Sequence, residues 1–200
     1  MMEYHLSTPL KEEDIRRFRI GDIVYLSGVM FTARDSGHER ALSLISEGKE
    51  LPLDLNGLAV YHCGPVVRKV GDRWEVVAAG PTTSARLEPL EPEFIEKTGV
   101  RLIIGKGGMG ANTAEVCKRF GAVYAIFTGG AAVLAAKGMR RVIDVKWLDL
   151  GVPEAMWIIE ADEFGPLMVA IDTTGANFYG NLSVEVERRL KEEIYPKIGF

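Results

Sequence analysis

An α/β domain, with a mixed sheet and helices packed on it, is what this sequence predicts over residues 1–200. Three observations carry that expectation. From residue 100 onward, apolar β-prone runs alternate with helical patterns that end at glycines, as in strands joined by helices. Before residue 100, two runs are spaced as a hairpin, so the sheet is mixed rather than wholly parallel. No Pro/Ser-rich linker, repeat or low-complexity tract divides the chain. With 47% hydrophobic and 26% charged residues, its 200 residues supply one good-sized core.

In order, residues 4–7 read as a short strand, and Thr8-Pro9 opens a helix through Lys11, Glu12, Glu13 and Asp14, whose acids favour a helix start. Gly21 ends that region, and residues 22–31 form a long strand. Thr32-Ala33-Arg34-Asp35 has capping-box spacing and begins a helix running to about Gly48. Residues 58–63 are apolar and β-prone until Gly64-Pro65 interrupts them. Residues 66–70 and 74–79 make a hairpin turning at Gly71-Asp72. Pro92 begins a short helix over 93–98, closed by Gly99.

A strand at 100–104 then leads through Gly105-Lys106-Gly107-Gly108-Met109-Gly110 into a helix over 112–120, capped by Gly121. Residues 123–127 form the next strand, Thr128-Gly129-Gly130 leads into a helix over 131–137, and 142–148 is a further strand. Two β-runs, 155–161 and 167–172, flank Asp162-Glu163-Phe164-Gly165-Pro166, read as a solvated acidic hairpin tip. The last element is a helix from about Ser183 to Tyr195, followed by an exposed tail, Pro196-Lys197-Ile198-Gly199-Phe200.

A net charge of −4 and the lack of any Lys/Arg block argue against a nucleic-acid surface. No apolar run approaches membrane-spanning length, and the N-terminus lacks the basic-then-apolar pattern of a signal peptide. Cys63 and Cys117 are the only cysteines, neither in a CxxC, and are too few to hold an iron–sulphur cluster. A reduced, cytoplasmic setting is expected.

Three segments carry anion-binding chemistry. In Gly80-Pro81-Thr82-Thr83-Ser84-Ala85-Arg86, Gly-Pro stops a strand, after which Thr82 or Thr83 can cap a turn with Arg86 one turn on. Hydroxyls, free N–H groups and a guanidinium would converge there on a carboxylate or phosphate. Taken alone, a Thr-capped turn with a surface Arg is the better reading. Arg34 sits near a helix start, unfavourable unless an anion lies there, and shares a face with His38; a solvated face with Asp35 balancing Arg34 is equally good. The loop 105–110 fits G-x-G-x-x-G, which makes a dinucleotide site a fair rival. However, residues 123–128 lack the acidic ribose partner, and Lys106 in the turn better suits a small anion. Tyr61-His62-Cys63-Gly64-Pro65 tempts towards a Cys/His nucleophile, but its apolar neighbours favour buried structural residues.

With Ser27-Gly28-Val29-Met30-Phe31-Thr32-Ala33-Arg34-Asp35, the segments 61–65, 80–86 and 105–109 come in an order that resembles the β subunit of two-subunit class I fumarate hydratases. The chain is also similar to the matching subunit of L-tartrate dehydratase, over about residues 4–185. The resemblance implies a single swivelling β/β/α domain and a hydro-lyase interconverting fumarate and L-malate, with L-tartrate dehydratase as the alternative. It implies a 4Fe-4S cluster held by three cysteines of a partner α subunit, and a hetero-oligomer in which this chain alone is inactive. Carried over by position, Arg34, Arg86 and Lys106 would bind substrate carboxylates and Thr82 would take part in proton transfer. From a different class, a non-catalytic dinucleotide- or anion-binding module remains an alternative.

Overall fold

The computed structural model describes residues 1–198. Its strands are β1 (Glu3–Ser7), β2 (Ile23–Thr32), β3 (Ala59–Tyr61), β4 (Val66–Val70), β5 (Arg73–Ala78), β6 (Leu102–Gly105), β7 (Val123–Ile126), β8 (Met139–Lys146) and β9 (Met156–Ile171). The α-helices are α1 (Glu12–Ile15), α2 (Asp35–Ser46), α3 (Glu91–Thr98), α4 (Ala111–Phe120), α5 (Ala132–Lys137), α6 (Phe178–Arg189) and α7 (Tyr195–Ile198). A short 3-10 turn spans Ser84–Leu87. Strands and helices mix as an α/β architecture, as the sequence predicts.

β1, β2, β3, β6 and β7 are successive parallel neighbours, while β9 runs antiparallel to β2, β7 and β8. Because β9 pairs with both β2 and β7, the strands β2, β3, β6, β7 and β9 close a ring. Alternation along each strand then sends side chains to opposite faces. Met30, Tyr61, Ile104, Ala125 and Trp157 share one core, while Phe31, Val60, Ile103, Tyr124 and Ile158 share another with Phe94 of α3 and Cys117 of α4. Strands covered on both faces must be apolar on both, which is why they read as unbroken apolar runs. The β4–β5 hairpin forms a separate two-stranded sheet, tied to the ring by Trp74 edge-on to Trp157 at 5.3 Å. Among the described residues, no helix is long and apolar enough to cross a membrane.

Several expectations are corrected. The runs around 162–166 are no hairpin but one 16-residue strand, β9. Between Leu26↔Phe164 and Gly28↔Ala161, β9 holds one residue more than β2, so the acidic segment bulges instead of reversing the chain. Glu163 takes a positive φ of 49° there, and its carboxylate meets His5 Nδ1 at 2.5 Å and the Ser27 hydroxyl at 3.3 Å. The capping box does not form. Thr32 belongs to β2, where its hydroxyl donates to the Ala155 carbonyl and accepts from Trp157 N–H, and Arg34 is the N-cap of α2. The last helix starts earlier, at Phe178, because the Asn177 side chain caps it by accepting from Gly180 N–H. Its described continuation stays helical to Ile198, and residues 199–200 of the expected tail lie outside the described residues.

Candidate active site

Parallel strands put their carboxyl ends on one side, and β2, β3 and β6 deliver Arg34, His62 and Lys106 just beyond those ends. The Gly80-to-Arg86 stretch is stitched across them. Thr82 N–H donates to the His62 carbonyl at 2.7 Å, and Ser84 N–H to the Lys106 carbonyl at 3.1 Å. Arg86 Nη2 lies 2.9 Å from Asp35 Oδ2 at the start of α2. The structure therefore brings the segments of Arg34, Thr82, Arg86 and Lys106 together.

The anion that Arg34 needs at a helix start is supplied by the chain itself. Glu154 Oε1 lies 3.2 Å from Arg34 Nε, and Glu154 Oε2 accepts from Ser36 N–H at 3.1 Å. Asp35, expected to balance Arg34, pairs with Arg86 instead. Among the described residues no carboxylate is within ion-pair distance of Lys106, so three cations face two carboxylates. Neither threonine caps the turn: Thr83 is the N-cap of Ser84–Leu87 without a side-chain bond. Thr82 is half-buried.

The rival dinucleotide reading of the loop 105–110 meets a filled site. Glu88 carboxylate accepts from Gly110, Asn112 and Thr113 N–H at 2.6, 3.1 and 3.1 Å, and from the Thr113 hydroxyl at 2.7 Å. An acid thus occupies the N-terminus of α4, where a pyrophosphate would sit. Gly110 permits this, since a Cβ there would come within 2.5 Å of Glu88 Oε1. Tyr124 hydroxyl donates to the Gly107 carbonyl, and Tyr179 packs on Gly108. The loop is stapled shut, leaving Lys106 as its cation.

Sequence reading missed what lies beneath. His38, on a helix face expected to be solvated, His62 and Glu91 are fully buried together. His62 Nε2 and His38 Nε2 lie 2.9 and 3.3 Å from the same Glu91 oxygen. His38 Nδ1 faces the Arg34 carbonyl at 2.8 Å, and His62 Nδ1 faces the Ser84 hydroxyl at 3.0 Å. Burial would lower His38, but the contacts with Glu91 outweigh it and raise it above the ordinary histidine value. Burial holds His62 below that value. Burial would raise Glu91, yet the two imidazoles hold it down at about 2. Burial of His62 was expected from its apolar neighbours, but for its meeting with His38 and Glu91 the one signal was compositional: two of just three histidines sit in the segments that carry the site.

Ser84, His62 and Glu91 follow the order of a nucleophile, base and orienting acid, but all three are fully buried and beyond substrate reach. Burial also pushes the Cys63 thiol up to about 12 and raises Cys117. Cys63 and Cys117 lie in different cores on opposite faces of the ring, a placement that does not fit shared ligation of a cluster. Gly105 is fixed by the same network, because a Cβ there would meet Ser84 Oγ at 1.8 Å. Gly105→Ala is expected to lower stability by about 1–3 kcal/mol through overpacking, read by urea unfolding; unchanged stability would show that Ser84 can give way.

The closed mixed α/β ring thus carries two arginines, a lysine and the half-buried Thr82 just beyond its parallel strand ends. Residues 1–182 match the family described as Fumarase C-terminus. The chain is 49% identical over 202 residues to the L(+)-tartrate dehydratase subunit beta of Escherichia coli strain K12, covering 100% of this chain and 99% of that one. It is 42% identical to a putative L(+)-tartrate dehydratase subunit beta of Methanocaldococcus jannaschii, over 96% and 99% of the two chains. A putative class I fumarate hydratase of Geobacillus stearothermophilus is 39% identical over 95% of this chain, which spans 37% of that longer protein. The chain belongs to the fumarase C-terminal-domain family.

Proposed function

We propose that this chain is the cytoplasmic β subunit of a two-subunit hydro-lyase that moves water on or off a four-carbon dicarboxylate. The observation that carries the reading is the meeting of the Arg34, Thr82, Arg86 and Lys106 segments at one end of the sheet. A dicarboxylate needs cations at both ends, and arginine adds planar two-point geometry that lysine lacks. Arg34, Arg86 and Lys106 would bind the carboxylates, and Thr82 would hand over the proton. A 4Fe-4S cluster held by the α subunit would supply Lewis-acid polarisation of the substrate hydroxyl.

For the substrate, likeness to L(+)-tartrate dehydratase β subunits along nearly the whole chain favours L-tartrate over fumarate. Fumarate and L-malate are the second reading, supported by the class I fumarate hydratase relative. Anaerobic co-expression with a cluster-bearing partner, assayed with both dicarboxylates, decides the matter. Turnover is expected only from the assembled pair, with the isolated chain colourless and inactive. A brown, active single chain, or a pair inert on both acids, overturns the proposal.

A further inference from the structure

The contacts of the buried trio fix where its protons are. His38 Nδ1 faces a backbone carbonyl, which only accepts, so Nδ1 carries hydrogen. His38 Nε2 lies 3.3 Å from a Glu91 oxygen without hydrogen-bond alignment, and a bare lone pair so close to the carboxylate would be repelled, so it carries hydrogen too. His38 is therefore an imidazolium. The same argument protonates His62 Nε2, leaving Nδ1 of the neutral ring to accept from the Ser84 hydroxyl. One cation and one anion cancel inside the protein, with no spare proton. The other groups facing the trio are Asp35 on α2, which adds negative field at both rings, and the neutral Cys117 of α4 and Tyr124 of β7.

Each end of this chain of contacts reaches a site segment. Arg34 offers its carbonyl to His38. The His62 carbonyl holds Thr82 N–H, and its ring holds Ser84, the residue that also binds Lys106 backbone. We propose that His38, Glu91, His62 and Ser84 form a positioning device that locks the Arg34, Thr82 and Lys106 segments in register through one shared buried charge pair. The positioning role rests on the hydro-lyase reading for its substrate, but the lock itself does not.

Nitrogen-15 NMR of the full chain between about pH 5 and pH 9 tests the protons. His38 is expected to stay doubly protonated well above the ordinary histidine range, with His62 neutral and its hydrogen on Nε2. A neutral His38 near neutral pH, or a stoichiometric zinc ion whose chelation shifts both rings, overturns the proposal. Glu91→Gln, which keeps shape and removes charge, tests the lock. Amide exchange at Thr82 and Ser84 is expected to quicken by about tenfold or more while β9 amides keep their protection, with Glu91→Asp partly restoring it. Unchanged exchange at Thr82 and Ser84 in the folded variant overturns the lock. Should Glu91→Gln fail to fold, Ser84→Ala, which removes the last link alone, is read in the same way. In the assembled enzyme Glu91→Gln is expected to raise KM by about tenfold or more, the size of one tightened substrate contact. A folded, normal KM and kcat overturns the positioning role, whereas an inert wild-type pair sinks the hydro-lyase reading and leaves the NMR result standing.

Discussion

Glu91→Ala is expected to cost the chain about 3–5 kcal/mol near neutral pH, because it strands a buried imidazolium without its counter-ion. The sign of the pH dependence follows from the shifts. Glu91 is held at about 2 against an ordinary 4.5, so its contribution is fully present above 4.5 and lost as pH falls towards 2. His38 is raised above 6.5, so its contribution is complete below 6.5 and lost as pH rises through the folded value. His62 is lowered, so it destabilises the fold as pH falls below 6.5, in wild type and variant alike. In Glu91→Ala, His38 loses the contacts that raise it, so burial drives the stranded ring towards its neutral form while the unfolded chain takes up protons. The gap between wild type and variant therefore widens as pH falls through the histidine range, measured by urea unfolding across that range. A gap that is constant or shrinks would show that His38 carries no charge in the native fold.

The fold was legible where local pattern and tertiary need agree. The strands and helices from residue 100 to Lys137 lie within a few residues of their expected places, since glycines at 99 and 121 take left-handed φ and end helices where the pattern says. The β4–β5 hairpin was equally plain from its turn residues. β9 was not, because a bulge and a turn share the same acidic, glycine-containing composition, and only pairing with β2 on one side and β8 and β7 on the other tells them apart. For the site, motif order and the resemblance singled out Arg34, Thr82, Arg86 and Lys106, whose segments the structure brings to one end of the sheet. Their partners could not be read. Glu154 and Glu88 reach Arg34 and α4 across long sequence separations, and an isolated glutamate has no period or spacing to announce it. Glu91 was hidden most thoroughly: an acid before Pro92 looks like ordinary helix-start chemistry, yet it is buried beneath two histidines from separate elements.

Thr82→Val in the assembled enzyme is expected to reduce kcat by about 10²–10⁴ with little change in KM, the reach of a positioned proton-transfer group. The structure sharpens this test, because it removes the competing explanation that the hydroxyl caps the following turn. Thr83 occupies the N-cap, and no side-chain bond closes it. What anchors Thr82 is its backbone N–H on the His62 carbonyl at 2.7 Å, which valine keeps. Valine also keeps the branched shape at nearly the same volume, so stability is expected to stay within about 0.5 kcal/mol of wild type. A hydroxyl is a weak base until something polarises it, and among the described residues none of this chain's groups bonds the Thr82 side chain. In the proposed two-subunit enzyme the polarising group would come from the α subunit, so the kinetic effect should appear only in the assembled pair. Arg86 provides the contrast: Arg86→Lys keeps charge but loses two-point geometry, so its loss should fall mainly on KM. If Thr82→Val turns over normally, Thr82 leaves the mechanism, and Arg86 stays as the anchor of the proposed site.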